Sequence, residues 1–353
     1  MYQLMYKDIE VLRFDPQQLK FCDITNKEYL PYGMKTGMDF EAWLRQRRAD
    51  KSRVSVRKLF ATLKMNFGDD KYISQFRKPT DFWWIKKIDS KDTFESEIAD
   101  FHEISLNISA KVPKIPQNYE AANIGSYEKG WKDNQLLKTG TVDEYFSELL
   151  YAKISSLYMK TASYEIKKLA NRKFIATNNF INQASGEYLV LADEWTHTGP
   201  DKEFEEWFND LKEELPLQEV ETFKIMHFLD IVLNNFDRHC QNFGYVYTEN
   251  NGRQVASNFD FNLSIIGFNG LAGLGGNEIQ VENYFKLFDD IPESVKKMPD
   301  VEWLRREILN ICNQLEVDST EYLKVGGWIL NRWEKLLKGE FCDDLARNSK
   351  GRV

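Results

Sequence analysis

The chain has 353 residues, of which 42% are hydrophobic and 14% aromatic, and a formal net charge of -8. Length and apolar content exclude a disordered chain and allow two or three units with buried cores. The acidic total argues against a general nucleic-acid binder, because phosphate contacts need a positive surface. From the N-terminus, Gln3–Tyr6, Glu10–Phe14 and Lys20–Ile24 read as short strands, broken at Lys7-Asp8 and Asp15-Pro16. Residues 39–63 carry helical periodicity through Phe40, Trp43, Leu44, Val54, Leu59 and Leu63, interrupted near Ala49–Ser52. Phe82-Trp83-Trp84-Ile85 is an aromatic strand, and the surroundings of Pro113 and Pro116 read as a connection.

A second pattern starts near residue 120. Tyr127–Trp131 with Gln135–Lys138 reads as a loop or hairpin ending in a strand, and Val142–Met159 as a helix. Phe174–Ile181 and Tyr188–Leu191 read as strands, and residues 202–213 as a polar, acidic helix. Glu221–Leu233 is apolar on nearly every side, which predicts a buried helix. Asn251-Gly252 lies between apolar runs and predicts a hairpin. Helices over Val301–Gln314 and Tyr322–Leu337 close the order. Strands and one helix followed mainly by helices predict a two-lobed α+β architecture with a cleft between lobes. The expected divisions are 1–115, a mixed accessory unit; 116–195, a lobe with the strand that ends in Lys138 and the helix that carries Glu148; and 196–353, a mostly helical lobe.

The chemistry concentrates after the buried helix, in Asn234-Asn235-Phe236-Asp237-Arg238-His239-Cys240-Gln241-Asn242-Phe243-Gly244 and, beyond the hairpin, Asn258-Phe259-Asp260. A hairpin folds the residues before its first strand back against those after its second. That brings the oxygen donors of Asp237, Asn242 and Asp260 toward one point. Magnesium takes such hard oxygens together with nucleotide phosphates, and phosphoryl transfer needs a further carboxylate to accept the proton of the attacking hydroxyl. Asp, then Asn, then Asp is also the order in protein kinases. Upstream, Lys138 ends a strand, and Glu148 lies on the next helix with Glu144 as a competing choice one turn earlier. A strand lysine and a helix glutamate are the pair that kinases use on the α/β-phosphates.

Asp-Arg-His-x-x-Asn-Phe-Gly, an apolar strand and then Phe-Asp-Phe-Asn-Leu-Ser resemble the catalytic segment of HipA-like serine/threonine kinases. The resemblance is sharp over about 135–265 and vague before 120. It implies that Asp237 is the base, that Asn242 and Asp260 hold Mg2+ and ATP, and that His239 helps to hold the catalytic loop. It implies Lys138 as the ATP lysine with Glu148 as its partner. It also implies that Ser126, in the Gly/Ser-containing segment ahead of the lysine strand, is a phosphate-loop serine open to autophosphorylation. Family members often belong to toxin–antitoxin pairs, so a small antitoxin-like partner and a protein substrate with a Ser/Thr acceptor are expected. The adenine hinge falls somewhere between Asn178 and Val190. Gly270–Gly276 lies outside the strand-to-lysine context of a phosphate cradle and reads as an activation-type loop.

Other readings weigh less. Arg45, Arg47, Arg48, Lys51, Arg53, Arg57 and Lys58 form a basic run, for which a solvated face or internal ion pairs is the plainer account than nucleic acid. A kinase acting on a lipid or small molecule, or a non-enzymatic interaction module, are the alternatives to a protein kinase. Cys22, Cys240, Cys312 and Cys342 fit no zinc spacing, and no secretory leader or spanning segment is visible. A cytoplasmic protein with reduced thiols is therefore expected.

Overall fold

The structure is a computed structural model that describes residues 1–15, 20–47, 80–96, 129–132, 134–169, 172–197, 202–235, 237–248, 252–267, 270–271 and 284–339. Ser126, most of the basic run, the expected boundary at 115/116 and all of the Gly270–Gly276 loop beyond its first two residues lie outside these. The chain divides into two compact units, each made of discontinuous stretches.

The first unit comprises Met1–Thr139, Lys167–Pro200 and Gly244–Arg253. Its N-terminal strands β1 (Tyr2–Tyr6), β2 (Ile9–Asp15) and β3 (Lys20–Ile24) fall where the apolar runs predict. With the aromatic strand β4 (Trp83–Lys87) they form an antiparallel sheet in the order β3-β2-β1-β4. Leu4, Val11, Leu12 and Phe14 are buried in it, and Phe14 meets Phe40 edge-on at 4.8 Å. Phe40 opens helix α2 (Phe40–Arg47), which follows the short helix α1 (Tyr32–Lys35). Arg47 is 2% exposed, donates to Asp81 at 3.0 Å and to the Trp83 carbonyl at 3.1 Å, and stacks on Trp43. That arginine of the basic run is therefore an internal ion pair.

A second sheet holds β5 (Lys129–Lys132), β6 (Gln135–Lys138), β7 (Tyr164–Leu169) and β8 (Arg172–Asn178) in the order β5-β6-β8-β7. Of the loop or hairpin expected before Lys138, the structure has the hairpin, as the antiparallel β5/β6 pair. Strand β7 escaped the sequence reading, because Tyr164-Glu165-Ile166-Lys167-Lys168-Leu169 is too polar to stand out as an apolar run. A third sheet orders β11 (Arg253–Val255), β10 (Gly244–Tyr247) and β9 (Tyr188–Leu191) as β11-β10-β9. Thr248 N–H donates to the Gly252 carbonyl at 2.9 Å at the predicted turn.

The second unit comprises Gly140–Ile166, Asp201–Phe243 and Gln254–Val353. Helix α3 (Val142–Ser155) starts on a capping box in which Thr141 and Glu144 satisfy each other's backbone N–H groups. It stops four residues short of the expected Met159. There the ladder tightens, with Leu157 and Tyr158 N–H donating to the Ile154 and Ser155 carbonyls three residues back, at 3.1 and 3.0 Å. After the short helix α4 (Ala192–Thr196) of the first unit comes α5 (Phe204–Leu211). Helix α5 is shorter than expected, and the acidic sequence conceals a buried face of Phe204, Trp207 and Phe208.

The buried helix is present as α6 (Leu217–Val232), with Phe223, Phe228, Leu229 and Val232 at 0% exposure. Beyond the short α7 (Glu293–Lys296), α8 (Val301–Leu315) and α9 (Leu323–Lys338) match the predicted C-terminal helices to within a residue at each end. Arg332 of α9 caps the end of α6, donating to the Ile231 and Val232 carbonyls at 2.6 and 3.1 Å.

Candidate active site

Helix α6 delivers one carboxylate, Asp230, into surroundings that are otherwise apolar. An unpaired buried charge is too costly to keep, so Asp230 must be matched. Four donors converge on it. Tyr151 Oη of α3, Asn235 Nδ2 and Arg238 Nη2 reach Oδ1 at 2.7, 2.7 and 2.9 Å, and Arg238 Nε reaches Oδ2 at 2.9 Å. Asp230 is 2% exposed, Arg238 3% and Tyr151 0%. Burial pulls the Arg238 pKa down, but the charge and hydrogen bonds of Asp230, helped by Tyr151, push it above the ordinary arginine value. Burial first, then the negative charge of Asp230, holds the Tyr151 phenol well above its usual range, so it is a neutral donor.

This pair organises the loop after α6. Arg238 Nη1 donates to the Asn242 carbonyl at 2.7 Å and to the Phe259 carbonyl at 3.1 Å. One nitrogen thus joins the Asp237–Asn242 loop to the residue just before Asp260. Asn242 is 5% exposed, and its Nδ2 donates to the Asp237 carbonyl at 2.7 Å. The amide oxygen therefore points to the opposite side of the side chain. Asp237 and Asp260 are both half-buried. Asp260 takes φ +64°, a left-handed conformation that Asp tolerates better than most residues, and its N–H donates to Tyr164 Oη at 3.0 Å. Behind it, Phe261 lies flat on Tyr151, ring centroids 4.0 Å apart and planes 9° from parallel.

The run-up to Asp260 is pinned as well. Asn258 N–H donates to the Lys160 carbonyl and its own carbonyl accepts from Ala162 N–H, both at 2.9 Å. His239 is half-buried, its N–H donates to the Asp237 carbonyl at 3.1 Å, and its Nδ1 accepts from Gln241 N–H at 3.2 Å. Its neighbours Arg238 and Cys240 join the loop to the start of α5 through Phe204 N–H and the Lys202 carbonyl, at 3.2 and 2.9 Å. Gly244 ends the motif for a steric reason. A Cβ there would meet the Val190 carbonyl oxygen of β9 at 2.3 Å.

The structure thus brings the segments of Asp237, Asn242 and Asp260 together within the second unit. Glu148 lies on α3 in the same unit at 1% exposure, and Glu144 Oε2 accepts from Thr141 N–H at 2.6 Å in the helix cap. Lys138 belongs to the first unit, at the end of β6 opposite Ile175, and is 8% exposed. Sequence reasoning overlooked Asp230 and Tyr151 and gave Arg238 no role beyond its place in the motif. The signal was present, since Asp230 is the only acidic residue between Phe223 and Leu233.

Among the described residues no three His, Cys, Asp or Glu side chains converge as a metal cage. Asn242 and Asp260 supply an amide and a carboxylate oxygen, a donor set that suits a hard cation completing its shell with phosphate and water. Among the described residues no helix is long and apolar enough to cross a membrane.

No family model matches the sequence, and no curated protein does. Among solved structures, HipA of a Shewanella oneidensis MR-1 toxin–antitoxin system, in a complex with HipB and its operator DNA, is similar over 96% of this chain and 96% of its own, at 12% identity and a TM-score of 0.51. The Helicobacter pylori proinflammatory kinase CtkA is similar over 64% of this chain and 92% of its own, at 14% identity and a TM-score of 0.40. The likeness to HipA shows the fold. The chain is an α+β protein of the HipA-like kinase fold, as its sequence motifs predict.

Proposed function

We propose that the protein is an ATP- and magnesium-dependent serine/threonine kinase of the HipA-like type. The observation that carries this reading is the Arg238 bridge, which ties the Asn242 loop and the Asp260 segment to one nitrogen at 2.7 and 3.1 Å. Kinase chemistry is mostly positioning and charge stabilisation, so side-by-side placement of base, amide and metal carboxylate is its central requirement. In this reading Asn242 and Asp260 would hold the magnesium ion, which would neutralise phosphate charge. Asp237 accepts the proton of a serine or threonine hydroxyl as its oxygen bonds to the γ-phosphorus. The bond from that phosphorus to the bridging oxygen breaks, and ADP leaves with the electron pair. Lys138 supplies the phosphate-binding amine and Glu148 its carboxylate, since Glu144 is engaged in its helix cap. His239 supports the loop, and Ser126 is the autophosphorylation candidate.

A small antitoxin-like partner belongs to the same proposal. Its support is the motif resemblance together with the likeness to a HipA found with HipB. The decisive experiment is transfer of labelled γ-phosphate to protein by wild type, Asp237→Ala and Asp260→Ala. Both variants are expected to lose transfer, and Asp260→Ala also to lose magnesium-dependent ATP binding. Transfer at the wild-type rate in either variant would refute these roles.

A further inference from the structure

Arg238 contacts the backbone at both proposed metal-ligand segments, through the Asn242 and Phe259 carbonyls. Its guanidinium is a planar fork of five N–H donors whose directions are fixed relative to one another. Nε and Nη2 are committed to the two oxygens of Asp230, both at 2.9 Å. That bidentate grip fixes the plane, and Nη1 is left to face the Asn242 and Phe259 carbonyls. One of these carbonyls belongs to a metal ligand and the other to the residue just before Asp260.

We infer that Arg238, oriented by Asp230 and Tyr151, is a positioning residue that sets the spacing of Asn242 and Asp260 and so the magnesium affinity of the site. The inference rests on the kinase reading above. Three features argue for tuning of the site in addition to fold stability. The four donors around Asp230 come from α3, the segment just after α6 and the loop itself, so the carboxylate that orients Arg238 is over-determined. Asp260 is held on both flanks by the same assembly, through the Phe259 carbonyl on Arg238 and the Phe261 ring on Tyr151. A lysine could keep the charge beside Asp230, but its single ammonium cannot grip two carboxylate oxygens and two carbonyls with fixed geometry. Groups that orient metal ligands from behind typically govern metal affinity strongly.

The test titrates magnesium into the full chain with a fluorescent ATP analogue, reading nucleotide binding and thermal unfolding for wild type, Arg238→Lys and Tyr151→Phe. Arg238→Lys is expected to raise the half-saturating magnesium concentration about 10- to 100-fold, leaving binding in EDTA unchanged. Tyr151→Phe keeps the ring on Phe261 and removes the phenol oxygen that donates to Asp230 at 2.7 Å. Its expected shift is smaller, roughly 3- to 10-fold, because the phenol acts on Arg238 only through Asp230 and a typical net hydrogen bond contributes about 1 kcal/mol. Folded variants that melt earlier but keep the wild-type magnesium dependence would overturn the inference while leaving the kinase reading intact. If Arg238→Lys does not fold, Tyr151→Phe decides alone. Absence of magnesium-dependent nucleotide binding in the wild type would overturn the kinase reading and this inference with it.

Discussion

Asp230→Asn is the substitution whose cost follows most directly from the structure. It keeps the shape of the side chain and removes its charge. In the native protein two carboxylate oxygens accept four hydrogen bonds, three on Oδ1 and one on Oδ2. The asparagine amide must face a donor with its own NH2, whichever way it is turned. The larger loss is that Arg238, 3% exposed, becomes a buried cation with no counter-charge. Removing one partner of a buried pair costs about 3–5 kcal/mol, a large share of the roughly 5–15 kcal/mol that stabilises a domain. For a unit of this size that corresponds to a fall in melting temperature of about 6–20 °C. Far-UV circular dichroism and tryptophan fluorescence would follow it, with Trp207 and Trp333 as buried reporters within the same unit. Arg238→Met in the Asp230→Asn background removes the orphaned charge, so the double variant should lose less than the two single losses added together. A loss below about 1 kcal/mol for Asp230→Asn, or strict additivity in the cycle, would refute the reasoning.

Two further outcomes follow from other sites. His227 is buried between Phe204 and Tyr284, and burial lowers its pKa although Glu205 lies 3.6 Å away and Asp230 also favours the charge. Below the ordinary imidazole value of about 6.5 the unfolded chain takes up a proton that the folded chain resists, so stability falls as pH falls, by up to about 1.4 kcal/mol per pH unit. Melting at pH 7.5 and 5.5 should show this for wild type and a flatter response for His227→Phe; equal responses would remove His227 as the cause. Gly244→Ala places a Cβ 2.3 Å from the Val190 carbonyl oxygen and should destabilise the β9/β10 pairing by about 1–3 kcal/mol or more, measured as a lowered melting temperature. A variant melting with the wild type would show that the two strands separate there without cost.

Much of the fold was legible because its signals are local. The strands at Tyr2–Tyr6 and Trp83–Lys87, the turn before Arg253 and the apolar helix ending at Val232 are each written in a stretch of a few to sixteen residues. The order Asp237, Asn242, Asp260 was legible for the same reason, since a hairpin signal lies between its members. The face of Phe204, Trp207 and Phe208 was hidden because three aromatics spread among acids alter composition little while determining which side is buried.

The sequence by itself determined the longer elements and their order, without β7 and the short helices, together with the motif and the strand that ends in Lys138. Tertiary structure alone decided what holds the motif in place. Tyr151 and Asp230 are 79 residues apart in the chain, and Arg238 and Phe259 are 21 apart. Periodicity reports which side of a helix is apolar, but it does not report which distant donor meets a buried carboxylate. That partner is chosen only when the helices pack and the charge, removed from water, must find its hydrogen bonds inside the protein.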